Sequence, residues 1–255
     1  MTGTASVAEL NTIDYPAVMD MDDAIGANDG ETLDGLVGMA PRAGFRFSRR
    51  LFLLSDPGSA QAESISDLRA HLLAQHVRNG RRSLAFCSPA EGVGSTYLAV
   101  NLAVAFAQAG ISTLLIDANM HDPGVQKYIR PKEEPAGLRQ CLTGSDLGHG
   151  NAIYDDVLQN LSVLYAGGVA DNAQELLATR HFKSLMDNCM RDYEMTIVDS
   201  PPGLNAADGL RIATVVGYAL VVARRNETLV NDIRMLMDGL LADRVRIVGT
   251  FLNDF

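Results

Sequence analysis

The residues with the clearest chemical potential are Gly92, Val93, Gly94, Ser95 and Thr96, which close the segment Ser88-Pro89-Ala90-Glu91-Gly92-Val93-Gly94-Ser95-Thr96. An apolar run, Ser83-Leu84-Ala85-Phe86-Cys87, leads into it, and Leu98, Leu102, Phe106 and Ala109 recur at helical spacing beyond it. Strand, glycine-rich turn and helix in that order make a phosphate cradle. The two glycines permit positive φ and put no Cβ in the way, so backbone N–H groups converge on an anion at the positive end of the helix. Loops of this kind normally carry a lysine just before the last Ser/Thr, because a positive charge must offset the β- and γ-phosphates. Here that position is Ser95. A structural reading, in which the glycine turn only joins a strand to a helix, stands beside the functional one.

Three more residues fall at strand ends. Asp199 follows the buried run Met195-Thr196-Ile197-Val198, where a carboxylate is costly without a partner. With the Thr96 hydroxyl it makes a donor set for Mg²⁺; the alternative is a cap on the turn at Pro201 and Pro202. Asp117 follows Thr113-Leu114-Leu115-Ile116 and either polarises an attacking hydroxyl, holds Mg²⁺ through water, or caps a turn. Asn253 follows the last strand, where its amide either pairs with an adenine edge or serves a turn. His121, His149 and His181 lack metal-ligand spacing and read as structural or surface residues.

The elements that must position these groups alternate along the chain. A helix is expected from about Ala60 to Gln75, strands at 83–87, 113–116, 161–166, 195–198, 218–223 and 246–252, and helices over 173–190, 207–216 and 228–242. A loop-rich stretch with short helices is expected before Asn160. Continuous Val/Ile/Leu strands between helices predict an α/β fold, a three-layer, doubly wound, mostly parallel sheet. Ligands in such sheets bind at the carboxyl ends of the strands, where Gly92 to Thr96, Asp117, Asp199 and Asn253 all fall.

Bulk composition narrows the rest. The chain has 255 residues, 47% of them hydrophobic, and a net charge of −10. Eight acidic residues and no Lys or Arg fall in the first 34 positions, so the remainder is nearly balanced at −2 and has no basic footprint for nucleic acid. Residues 1–41 read as a disordered acidic arm. Residues 42–56, with Arg42, Arg46, Arg49 and Arg50 among Phe45, Phe47, Leu51, Phe52 and Leu53, read as a basic, aromatic linker with a short edge strand, or as a contact for anionic lipid. Residues 57–255 form the expected folded domain. Cys87, Cys141 and Cys189 are widely spaced and read as reduced, buried small hydrophobes. No signal peptide or membrane-spanning run is seen, so a cytoplasmic location is expected.

From about Pro57 to Asn253 the chain resembles the bacterial tyrosine kinases that control capsular and exopolysaccharide synthesis, relatives of the septum-site and partition P-loop ATPases. Their G-E-G-K-S/T loop falls on Gly92 to Thr96, and their D-x-D-x-R motif on Asp117-Ala118-Asn119-Met120-His121. Their third motif falls on Ile197-Val198-Asp199-Ser200-Pro201-Pro202, and their N-P-x-E-L-L segment on Asn172-Ala173-Gln174-Glu175-Leu176-Leu177. The resemblance implies ATP or ADP with Mg²⁺ held by Gly92, Val93, Gly94, Ser95, Thr96 and Asn253. It also implies Thr96 and Asp199 on the metal, and Asp117 and Asp199 as catalytic groups. It implies a membrane-bound polysaccharide co-polymerase, or chain-length protein, as partner, self-association as a ring or a dimer, and membrane contact only through that partner at the inner face. Nucleic acid is not implied.

The departures point one way. Ser95 replaces the loop lysine, Ala90 stands where partition-type ATPases place another, Asn119 and His121 replace an acid and an arginine, and Ser66 replaces an arginine of the ring-packing helix. The sequence shows no tyrosine-rich tail, and Tyr218 is its last tyrosine. The three lysines, Lys127, Lys132 and Lys183, are remote from the loop in sequence, and Arg224 or Arg225 at a strand end can stand in for charge only if the fold brings them close. A degenerate, regulatory family member is therefore expected. The alternatives are an active kinase or ATPase, and a partition-type positioning ATPase that lacks its lysines, basic surface and C-terminal amphipathic helix.

Overall fold

Strands that are apolar on both faces must be covered from above and below, and the computed structural model, which describes residues 42–144, 152–203 and 207–254, has that arrangement. The first half contains β1 (Phe45–Phe47), α1 (Phe52–Ser55), α2 (Ala60–Gln75), β2 (Ser83–Cys87), α3 (Ser95–Gln108), β3 (Thr113–Asp117), β4 (Ile129–Pro131) and α4 (Leu138–Thr143). The second contains β5 (Tyr154–Leu158), β6 (Leu161–Leu164), α5 (Ala173–Leu177), α6 (Arg180–Asp192), β7 (Met195–Asp199), α7 (Ala207–Val216), β8 (Tyr218–Arg224), α8 (Val230–Ala242) and β9 (Arg246–Asn253).

Seven strands form one sheet in the order β5-β6-β3-β7-β2-β8-β9, parallel throughout except for the antiparallel edge strand β5. The two-residue period of the strands divides the interior. Leu84 and Phe86 of β2 join a core with α1, α2 and α3, while Ala85 and Cys87 join a second core with α4 to α8. The fold is thus the three-layer, doubly wound α/β architecture. Helix α3 is enclosed on all sides: every residue from Leu98 to Phe106 is 0% exposed. Its alanines, Ala99, Ala103 and Ala105, let neighbouring elements approach closely, so the helix that follows the glycine loop is fixed in direction.

Residues 42–56 belong to the folded body. β1 pairs antiparallel with β4, and Phe47, Leu51, Leu53 and Leu54 sit in the core beside α2 and α3. Phe45 and Phe52, both half-buried, pack against the same core. The stretch joins the domain because Phe47, Leu51, Leu53 and Leu54 remove apolar surface from water there.

The single helix expected over 173–190 is two. Thr179 interrupts it in an extended conformation and caps α6 by accepting from the N–H of Phe182 at 3.3 Å. The stretch before Asn160 holds strands as well as short helices: β4 pairs with β1, and β5 makes the antiparallel edge. The acidic arm at 1–41 and His149 lie outside the described residues. Among the described residues no helix is long and apolar enough to cross a membrane.

Candidate functional site

Central strand β2 delivers the chain to the carboxyl edge of the sheet, where Gly92 and Gly94 take φ of 75° and 86°. Gly94 is the N-cap of α3 and offers no side chain to its first-turn N–H groups, which have no acceptors within the helix. A Cβ on Gly92 would meet nothing within 4 Å. The uncapped helix end and the open loop face a cavity of about 350 Å³. That is a site for an anion.

The loop is braced from behind. Asn253 is buried and its Nδ2 donates to the carbonyl of Val93 at 2.9 Å, so this amide holds the loop instead of lining the cavity. The guanidinium of Arg224 reaches the carbonyl of Gly92 at 3.5 Å, and the N–H of Gly203 donates to Ser88 at 2.8 Å.

Beneath the loop, β3 and β7 place Asp117 and Asp199 side by side as register partners. Thr96 Oγ1 donates to Asp199 Oδ2 at 2.6 Å, and Ser95 Oγ to Oδ1 at 3.4 Å. Asp199 is 1% exposed; burial, then the charge of Asp117, hold its carboxyl well above the ordinary carboxylate range, against the opposing pull of the two hydroxyls. Burial also raises Asp117, offset in part by backbone donors. Those donors are the N–H groups of Asn119 (3.1 Å), Gly124 (2.9 Å) and Val125 (3.0 Å), which take up both of its oxygens. Asp117 is thereby the organiser of the loop 119–125. That loop lies hard against Thr96, since a Cβ on Gly124 would stand 2.9 Å from Thr96 Cγ2.

The candidates therefore meet: Gly92 to Thr96 line the cavity, Asp199 backs Thr96, and Asp117 and Asn253 support the loops on either side. Sequence reasoning missed two cations on the cavity wall, Arg50 from the segment before α1 and Lys127 from the 3₁₀ turn Val125–Lys127. Arg224 joins them there. No local motif marks Arg50 or Lys127; only the packing of 42–56 on to the domain and the turn of loop 119–127 put them there. His121 pairs through Nε2 with Oδ2 of buried Asp208 at 2.8 Å, and Cys87, Cys141 and Cys189 are buried thiols. An uncapped helix N-terminus, a hydroxyl on a buried carboxylate and cations on the wall together fit a nucleoside polyphosphate with Mg²⁺.

A central parallel strand feeding a glycine turn and a buried helix, with a strand-end aspartate on the first-turn hydroxyl, defines a P-loop NTPase-like fold. Residues 82–231 match the family model described as an AAA domain. The tyrosine-protein kinase CpsD of Streptococcus pneumoniae is 30% identical over 163 residues, covering 64% of this chain and 71% of CpsD. The putative tyrosine-protein kinase CapB of Staphylococcus aureus is 26% identical over 203 residues, covering 80% and 88%. The chain belongs to the bacterial tyrosine kinase family. Its fold matches the kinase domain of the Escherichia coli tyrosine kinase ETK with a TM-score of 0.73 at 25% identity, covering 80% of this chain and 79% of that domain. Other tyrosine kinases among its relatives are far longer, and the chain spans 26% to 28% of their length.

Proposed function

We propose that the chain binds Mg·ATP or Mg·ADP in the cavity and acts as a regulatory member of the family in capsule or exopolysaccharide synthesis, with phosphoryl transfer weakened. It works in the cytoplasm, at the inner face of the membrane, through a membrane-bound co-polymerase or chain-length protein. One observation carries this reading: the loop and the Thr96–Asp199 pair are intact, while the lysine position holds a serine whose hydroxyl faces Asp199. Thr96 and Asp199 hold the metal, and Gly92, Val93, Gly94 and Ser95 wrap the phosphates. Bound Mg²⁺ supplies charge that offsets the β- and γ-phosphates. Asp117, with both oxygens on backbone donors, sets the loop that backs Thr96 and is badly placed to take a proton. Loss of one cation from a phosphoryl-transfer site costs on the order of 10²-fold in rate. The partner and the polysaccharide role follow from the family resemblance.

Arg50, Lys127 and Arg224 on the wall favour a second reading, an active kinase or ATPase. A titration of the purified chain with Mg·ATP, run beside incorporation of labelled phosphate into tyrosine, separates the two. Binding without turnover is expected. Measurable incorporation establishes the kinase instead, and absence of binding at millimolar ATP removes the nucleotide from both.

A further inference from the structure

The loop lacks its lysine, yet two cations from other segments line the same cavity. We infer that Arg50 and Lys127, brought to the cavity from outside the loop, contact the phosphate tail of the bound nucleotide in place of the absent lysine. This rests on the nucleotide-binding reading above and says which side chains make that binding work.

Both residues line the same cavity as Gly92 to Thr96, and both are anchored to the elements that build it. Arg50 follows β1, whose Phe47 pairs with Ile129 of β4, and precedes Leu51, which is 0% exposed. Its carbonyl accepts from Nδ2 of Asn101, a wholly buried residue of α3, at 3.2 Å. The segment that carries the guanidinium is therefore fixed to the helix whose first turn meets the phosphates. Its side chain and that of Tyr128 line the same cavity wall. A guanidinium presents a planar fork of donors that matches phosphate oxygens, whereas an ammonium acts as a point charge. The two cations thus supply complementary contacts.

Lys127 closes the turn that begins at Gly124, the residue packed against Thr96, and its backbone N–H returns to the Gly124 carbonyl at 3.0 Å. Its ammonium lies 3.3 Å from Asp122, with 59% and 76% of the two side chains exposed. An exposed pair of that kind is weakly held, and a polyphosphate competes for the lysine on favourable terms. Arg224 has a different task, since its guanidinium pairs with Glu227 at 3.2 Å and reaches the Gly92 carbonyl, bracing the loop from the side.

The test is a set of binding titrations with Mg·ATP, Mg·ADP, AMP and adenosine on the wild-type chain and on Arg50→Ala, Lys127→Ala, Arg50→Lys and Lys127→Arg. Each alanine variant should weaken Mg·ATP by about 10- to 100-fold, the scale of one hydrogen bond to a charged group. The loss should shrink from ATP to AMP and vanish for adenosine, and the charge-retaining variants should recover most of it. A folding defect would instead weaken every ligand alike and leave the charge-retaining variants unable to rescue, which counts against the inference. Wild-type affinity for Mg·ATP in both alanine variants overturns it while leaving nucleotide binding in place. A wild-type chain that binds no Mg·ATP ends the nucleotide reading and this inference with it.

Discussion

Thr96 donates its hydroxyl to Asp199 at 2.6 Å, joining the first turn of the loop helix to the end of a central strand inside a site where the carboxylate is 1% exposed. The proton balance of that carboxylate is set by folding. Its carboxyl is raised above the ordinary range, so the folded chain holds the proton more firmly than the unfolded one. Its contribution to stability is complete below about pH 4, the unfolded value, and is lost as pH rises through the raised folded value. Asn mimics the protonated acid, so Asp199→Asn should gain melting temperature relative to wild type as pH increases. A thermal-denaturation series across pH checks this; a constant difference between the two proteins contradicts it. Adding Mg²⁺ should offset the wild-type loss at high pH, because a bound cation favours the ionised form.

Gly124→Ala tests the contact between loop 119–125 and the phosphate loop. The new methyl would sit 2.9 Å from Thr96 Cγ2. Either Thr96 rotates away from Asp199 or the loop moves, at a stability cost of about 1–3 kcal/mol. Denaturant melts and Mg·ATP titration should both register the change. A variant with wild-type stability and affinity shows that the two loops move apart freely.

Asn253→Ala distinguishes a brace from a base reader. Removing the amide leaves the Val93 carbonyl without its donor and costs about 1–3 kcal/mol. Affinity for ATP and GTP should fall together, leaving their ratio unchanged. A shift in that ratio assigns Asn253 to the base.

Leu51→Ala asks whether 42–56 is structural. Leu51 is 0% exposed within the core shared by α2 and α3, so truncation should cost about 2–5 kcal/mol, measured by chemical denaturation. A flexible linker would lose less than about 0.5 kcal/mol.

The element pattern was legible where local signals agree. The runs at 83–87, 113–117 and 195–199 are buried on both faces and alternate with helices, the pattern of a helix-covered parallel sheet, so the fold class follows from sequence. The convergence of Gly92 to Thr96 with Asp199 was legible for the same reason, since strand ends in a parallel sheet share one edge. Thr179 was a visible cap whose effect was overlooked, because the apolar spacing of 173–190 continues across it. The side-chain roles of Asp117 and Asn253 were beyond reach. Whether a strand-end carboxylate or amide faces a ligand or a backbone group depends on the path of neighbouring loops.

By itself the amino-acid sequence determined the α/β architecture, the phosphate loop and the loss of its lysine, because hydrophobic period and glycine placement are local properties of the chain. Tertiary structure alone decided what charge surrounds the loop. Arg50 and Lys127 reach the cavity only because β1 pairs with β4 and Gly124 packs on Thr96, contacts between segments distant in sequence that leave no local pattern to read.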